Sequence, residues 1–293
     1  MNNHLADDPF LKLLRTFAFL TLALAALAGL QPTNAAEPTL VVTRDTEERH
    51  FTAEELLKRP DCVAVSVSGD IYHSAIPYRA VPLLALLDDS PLSRFDTLDA
   101  QASDGFASQI PLALVARGTS GGSVAWVAVE DPSRPWPPLP HRRDSAGPFY
   151  LIWEHPERSR VSREQWPYNL VRLSFVESPI HRWPQLALPT KLQSDASARR
   201  GQEVFFTQCL PCHRLNGGGA SDTGPDLNRP MNPTQYLTEA GLRALIRSPR
   251  SVRTWPDQLM GGFDKATLPD ADLDALVAYL RSMSQKSGLA FAP

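Results

Sequence analysis

The sequence predicts two domains of different class, an α+β domain followed by an all-α domain. Three observations predict this. Between Leu40 and Val176 the apolar residues come in short, strand-length runs broken by Gly, Pro and Asp turn signals. From Asp195 onward they recur at helical spacing. Between the two lies Pro179 to Lys191, with three prolines and two changes of polarity, which reads as a linker. The expected boundaries are a leader over 1–36, the α+β domain over 37–178, a proline-rich linker over 179–193 and the all-α domain over 194–287. A chain of 293 residues is long enough for two such cores, and no internal repeat is visible.

The leader reads as an export signal. Lys12 and Arg15 give it a positive end, Thr16 to Leu30 is apolar, and small residues follow at Asn34-Ala35-Ala36, so cleavage after Ala36 is expected. The apolar run is shorter than the ~20 residues a membrane span needs. No other run is apolar enough, so no membrane span is expected after cleavage. Net charge is −3, which gives no electrostatic basis for nucleic-acid binding.

In order, Leu40-Val41-Val42 reads as a short strand. Thr52 and Glu55 form a capping box that opens a helix through Lys58, ended by Pro60. Cys62 to Val67 alternates like a strand. Pro82 then starts a short buried helix over Leu83 to Leu87. Asp104-Gly105 is a turn joining strands at Thr97–Ala102 and Phe106–Ile110, followed by a helical turn from Pro111 to Ala116. Further strands are expected at Ser123–Glu130, Phe149–Trp153 and Leu170–Val176, with a proline-rich structured loop over Asp131–Pro148.

Val81-Pro82-Leu83-Leu84, Asp104-Gly105-Phe106, Ile110-Pro111 and Gly147-Pro148-Phe149-Tyr150-Leu151-Ile152-Trp153 together resemble a short form of the sulfite-oxidase-like, molybdopterin-binding fold. The resemblance spans Pro38 to Ser178. In that family a cysteine thiolate just after an early strand holds molybdenum. Here the segment reads Val67-Ser68-Gly69-Asp70, and Cys62 lies on the wrong side of the strand. Without that soft ligand, molybdopterin is not expected. Tyr72, His73, Asp104, Trp136, His141, Arg142 and Arg143 remain polar or aromatic candidates in expected loops, and among them His141-Arg142-Arg143 could seat an anion or an acidic partner.

Chemistry concentrates at Cys209-Leu210-Pro211-Cys212-His213. This C-x-x-C-H spacing brings two sulfurs to two vinyl groups of one porphyrin and an imidazole beneath its iron. A zinc half-site or a redox dithiol is the alternative. Zinc wants a second ligand pair, whereas the only other cysteine is Cys62, and a dithiol has no need of the histidine.

Ser194-Asp195 caps a helix from Ala196 to about Gln208, and Leu268-Pro269-Asp270 opens a last helix carrying Leu273, Leu276, Val277 and Leu280. With Gly201, Phe205 and Tyr279 placed as they are, Asp195 to about Gln285 resembles class I cytochrome c. The resemblance implies one covalent haem c on Cys209 and Cys212. It implies His213 and Met260 as axial iron ligands, with Met231 as the lesser candidate for the sixth position. It also implies that the Pro225 carbonyl holds the far nitrogen of His213, since Gly224-Pro225-Asp226-Leu227 matches the family's Gly-Pro-x-Leu loop. Arg253 and Trp255, after an amphipathic helix over Tyr236–Arg247, are candidate propionate donors.

The expected function is transfer of single electrons between periplasmic redox proteins, with the N-terminal domain docking or orienting a partner. The alternative is an oxidoreductase in which a molybdenum cofactor passes electrons to the haem of its own chain.

Overall fold

A computed structural model describes residues 37–72, 76–87, 94–140, 142–256 and 258–287. The export signal, His73 and His141 lie outside the described residues. Among the described residues, no helix is long and apolar enough to cross a membrane.

The first half builds two sheets. One has five strands in the order β2-β1-β9-β5-β6, from β1 (Thr39–Arg44), β2 (Glu47–Thr52), β5 (Thr97–Ala102), β6 (Ala107–Pro111) and β9 (Leu170–Val176). The other runs β3-β4-β7-β8, from β3 (Val63–Ser66), β4 (Pro77–Pro82), β7 (Val124–Val129) and β8 (Phe149–Glu154). Neighbouring strands are antiparallel except β1 and β9, which are parallel through Val42↔Leu173. Tyr78, Phe149, Tyr150 and Trp153 are fully buried in the core of this half. Large aromatic and branched side chains of this kind suit a pleated, covered surface.

The capping box forms as expected: the Thr52 N–H donates to Glu55 and the Glu55 N–H to Thr52 Oγ1, opening α1 (Ala53–Leu57). One strand was not anticipated and one expectation needs correction. Strand β2 reads Glu-Glu-Arg-His-Phe-Thr and carries no apolar alternation; it forms because it is an exposed edge paired only with β1. The expected helix over Leu83 to Leu87 shrinks to a 3-10 turn at Leu83–Ala85, because β4 pairs with β3 as far as Ala80 and with β7 as far as Pro82. The Asp104-Gly105 turn holds, with Gly105 at φ +89°, in the left-handed region glycine tolerates. A helix α2 (Leu112–Ala116) follows β6.

The second half is helical. Asp195 caps α4 (Ala196–Gln208) by accepting the Ala198 N–H, and α4 crosses α8 (Asp270–Ser287). The expected helix from Tyr236 begins later. Leu237 is extended, so α5 (Pro233–Tyr236) is a separate turn and α6 (Glu239–Arg247) starts at a new cap, Thr238, which accepts the Gly241 N–H. A turn α7 (Pro249–Val252) follows. The loop before α5 is tied to α8 by two buried asparagines: Asn228 donates to the Met283 carbonyl at 3.0 Å and Asn232 to that of Leu280 at 3.0 Å.

The segment between the halves is packed rather than extended. It contains α3 (Pro179–Arg182) and two 3-10 turns, Pro184–Leu186 and Thr190–Leu192. Arg182 reaches into the sheet side to Asp99 and Gln109, at 3.0 and 2.9 Å. Leu186 and Leu188 are buried in the helical core. Residues from Pro38 onward form one compact unit.

Candidate functional site

Helix α4 ends at Cys209, where the backbone turns once more. The Cys212 and His213 N–H groups donate back to the Cys209 carbonyl at 3.1 and 2.8 Å. One turn therefore presents both sulfurs and the imidazole. His213 Nδ1 lies 2.8 Å from the Pro225 carbonyl oxygen. A carbonyl only accepts, so Nδ1 carries the proton and Nε2 keeps its lone pair. Burial holds the imidazole below its ordinary pKa, partly offset by the Pro225 hydrogen bond, so it stays neutral as a metal ligand must.

The loop that supplies Pro225 is fitted to the ring. The Gly224 N–H donates to the Cys212 carbonyl at 2.7 Å, and a Cβ at Gly224 would stand 2.6 Å from both Nδ1 and Cε1 of His213. Asp226 shapes the neighbouring turn by accepting the N–H groups of Asn216, Gly217 and Asn228. Asn216 and Gly217 both lie at positive φ, 55° and 77°.

Both thiols of the pair are pushed up, first by burial and then by the charge of Glu164. A reactive redox dithiol needs the opposite shift, because the thiolate is the nucleophile. Among the described residues no group of three or more His, Cys, Asp or Glu side chains gathers as a metal site. The donor set would fit covalent attachment of a metal-bearing group through Cys209 and Cys212, with Nε2 of His213 left to bind the metal.

Met260 lies half-buried in the loop between α7 and α8, whereas Met231 is 49% exposed. That loop is clamped to the end of α6. The Phe263 N–H donates to the Ile246 carbonyl at 3.1 Å, and Gly262 lies against the Arg247 carbonyl, where a side chain would collide. The Arg247 guanidinium donates to the carbonyls of Phe263, Asp264 and Leu268. It also pairs with Asp270 at 2.8 Å, but nothing in the sequence distinguished Arg247 from the other arginines, since most of its partners are backbone oxygens. Gln258, two residues before Met260, is buried, and neither amide atom has a partner among the described residues. An orphaned buried amide beside the loop is consistent with a polar cofactor edge completing it. Arg253 and Trp255 are exposed and lie together, the guanidinium 5.7 Å from the indole centroid.

The sheet side closes over the attachment turn. The Ala107 N–H donates to the Pro211 carbonyl at 3.1 Å, and the Ser221 hydroxyl to the Gly105 carbonyl at 2.9 Å. The Ser162 hydroxyl donates to the side-chain oxygen of Gln208 at 2.9 Å. Asp104 is within electrostatic reach of Cys212 and pairs with Arg142 at 3.7 Å. Arg142 also lies over the Tyr168 ring. Tyr72 and Trp136 join a separate cluster. The Tyr72 hydroxyl accepts the Ala146 N–H, and the Trp136 ring meets Tyr78 edge-on at 5.1 Å. Arg143 is exposed. Asp70 is buried and accepts from the Tyr78 hydroxyl.

Residues 198–284 match the family model of cytochrome c. The C-terminal part of the chain is a helical cytochrome c domain, a haem-bearing electron-transfer module, and the N-terminal part is a sheet-rich domain.

Proposed function

We propose that the protein carries single electrons between redox partners in the periplasm, using one haem c attached through Cys209 and Cys212. The observation that carries this reading is the His213 arrangement. The proton sits on Nδ1 against the Pro225 carbonyl, on the same turn as both sulfurs, so Nε2 is the nitrogen left for iron. When bound, the haem supplies a one-electron couple whose potential its axial ligands tune.

In this reading Met260 is the sixth ligand. Arg247 positions it by fixing the backbone that follows, and little movement accompanies electron transfer. Pro225 orients the proximal imidazole and raises its basicity, the usual task of the partner behind a metal-bound histidine. Arg253 and Trp255 sit at the entrance to the Met260 loop. Their exposure, with Val252 and Leu259 also exposed, suits contact with an acidic redox partner.

The sheet-rich domain docks or orients a partner and holds the attachment turn. Asp70, an acceptor for Tyr78, stands in the segment where the molybdenum-binding fold supplies its thiolate, which favours this role over a molybdenum enzyme. The test is purification from a host that matures c-type haem, followed by a spectrum and metal analysis of the same preparation. Covalently retained iron with no molybdenum is expected. Colourless protein overturns the reading, and stoichiometric molybdenum replaces it with the enzyme.

A further inference from the structure

We propose that Glu164, a side chain of the sheet-rich domain, sets the reduction potential of the haem on the neighbouring domain and couples its oxidation to release of a proton. This rests on the haem reading above and deepens it by giving the sheet-rich domain a part in the electron chemistry.

The geometry begins with a 3-10 turn, Arg163–Gln165, that packs against both α4 and β6. Ser162 anchors it. Its hydroxyl accepts the Glu164 N–H at 3.3 Å and donates at 2.9 Å to the side chain of Gln208, the residue just before Cys209. The Ala107–Pro211 hydrogen bond fixes the same junction from β6, between the two cysteines. The charge of Arg163 on this turn also acts on the other side of the site. Asp264, in the loop after Met260, is held below the usual carboxylate range chiefly by Thr267, with a smaller contribution from Arg163. The turn thus packs against the helix that ends at the attachment turn, and the charge of its Arg163 is felt in the loop of the candidate sixth ligand.

Glu164 is the side chain of this turn whose charge acts on both Cys209 and Cys212. It is half-buried, and the opposite charge that acts on it is that of its chain neighbour Arg163. Burial pushes its carboxyl up to about 7, with Arg163 pulling the other way. Tyr168 also faces it, while Asp104, paired with Arg142, acts on Cys212. A carboxyl so placed is neutral below neutrality and charged above it.

The sign follows from Coulomb's law in a medium of low effective dielectric. Oxidation leaves one more positive charge at the iron. An ionised Glu164 favours that state, and a neutral one does not. When an electron passes to the redox partner, the Glu164 proton is therefore held less tightly and leaves to solvent; reduction reverses both. The potential falls as pH rises through the range in which Glu164 titrates.

The experiment is a potentiometric titration of the haem-loaded full chain from pH 5 to 9, for wild type, Glu164→Gln and Asp104→Asn. Wild type should lose potential through neutrality. Glu164→Gln should flatten the slope and, at pH 8, favour reduction about tenfold, equivalent to 59 mV for a one-electron couple. Asp104→Asn should keep the slope. A wild-type potential independent of pH overturns the inference, as does a slope that survives Glu164→Gln or disappears in Asp104→Asn. Should Glu164→Gln not be recovered with haem, the other two chains decide the question. A pH-independent potential on covalently bound haem leaves the electron-transfer reading standing, whereas absence of covalent haem removes that reading itself.

Discussion

Gly201 on α4 packs directly against the backbone carbonyl of Ala275 on α8, leaving no room for a methyl group. A Cβ on Gly201 would overlap that carbonyl and stand 2.9 Å from Tyr279 Cβ. The same crossing brings the Phe205 and Tyr279 rings to 5.4 Å. It also lets Tyr279 and Gln202 both donate to the Leu186 carbonyl, at 2.7 and 2.8 Å. Because the obstacle is backbone in a second helix, it cannot rotate away. Gly201→Ala should therefore separate the helices and cost on the order of 3 kcal/mol or more, beyond the usual range for a single methyl. Denaturant midpoints of the full chain check this. A loss within 0.5 kcal/mol, on the scale of an ordinary surface change, means the helices can part cheaply.

The two candidate sixth ligands separate on environment. Met260 is half-buried in a loop clamped by Arg247, while Met231 is half exposed beside the asparagine-anchored loop. Met260→Ala should abolish the weak far-red band of a methionine sulfur on ferric haem and lower the potential. Met231→Ala should leave both unchanged. Optical spectra of the oxidised proteins distinguish them, and loss of the band in Met231→Ala instead reassigns the ligand.

The attachment turn was legible from the sequence because its chemistry is local. Five consecutive residues set the spacing, and the turn that presents them continues α4. The Gly224-Pro225 loop was legible only through its resemblance to a family motif, and the structure adds why a glycine stands there, against the His213 ring. Strand β2 was not legible, since an exposed edge strand places no demand for apolar residues on its sequence. Nor were Arg247 and Glu164. Arg247 acts on carbonyls far along the chain, and Glu164 acquires its meaning only when a turn of one core is laid against a helix of the other. Pro179–Lys191 misled in the opposite direction. Prolines that punctuate a linker also build the short turns of a packed connector.

That connector depends on a buried ion pair. Arg182 donates to Asp99 at 3.0 Å and to Gln109 at 2.9 Å, and its guanidinium lies 4.1 Å from the centroid of Trp183. The Asp99 side chain is 1% exposed, and its other oxygen has no partner among the described residues. Arg182→Leu should leave a buried carboxylate unpaired and cost about 3–5 kcal/mol. Arg182→Leu combined with Asp99→Leu should recover much of that, because the uncompensated charge is gone. Thermal unfolding of the single and double variants, together with protease cleavage between 178 and 195, reads both effects. Equal stability of wild type and Arg182→Leu would show that solvent reaches Asp99.

Glu164 should also make the stability of the haem-free chain depend on pH, with the opposite sign to most carboxylates. Its folded pKa, about 7, is above the unfolded value of 4.5, because burial disfavours the charge. Between those two values the folded chain binds more protons than the unfolded one, so the free energy of unfolding falls as pH rises. The neutral carboxyl contributes no penalty below about 4.5, and the full penalty is present above about 7. The side chain is only half-buried, so the penalty is expected to be on the order of 1–3 kcal/mol after screening by solvent. Glu164→Gln, which is neutral throughout, should remove it. The expected result is a variant close to wild type at pH 5 and more stable than wild type at pH 8, read from denaturant midpoints at the two pH values. If the variant and wild type lose stability in parallel between pH 5 and pH 8, Glu164 is already ionised and solvated in the folded chain, and the charge beside Cys209 and Cys212 has another source.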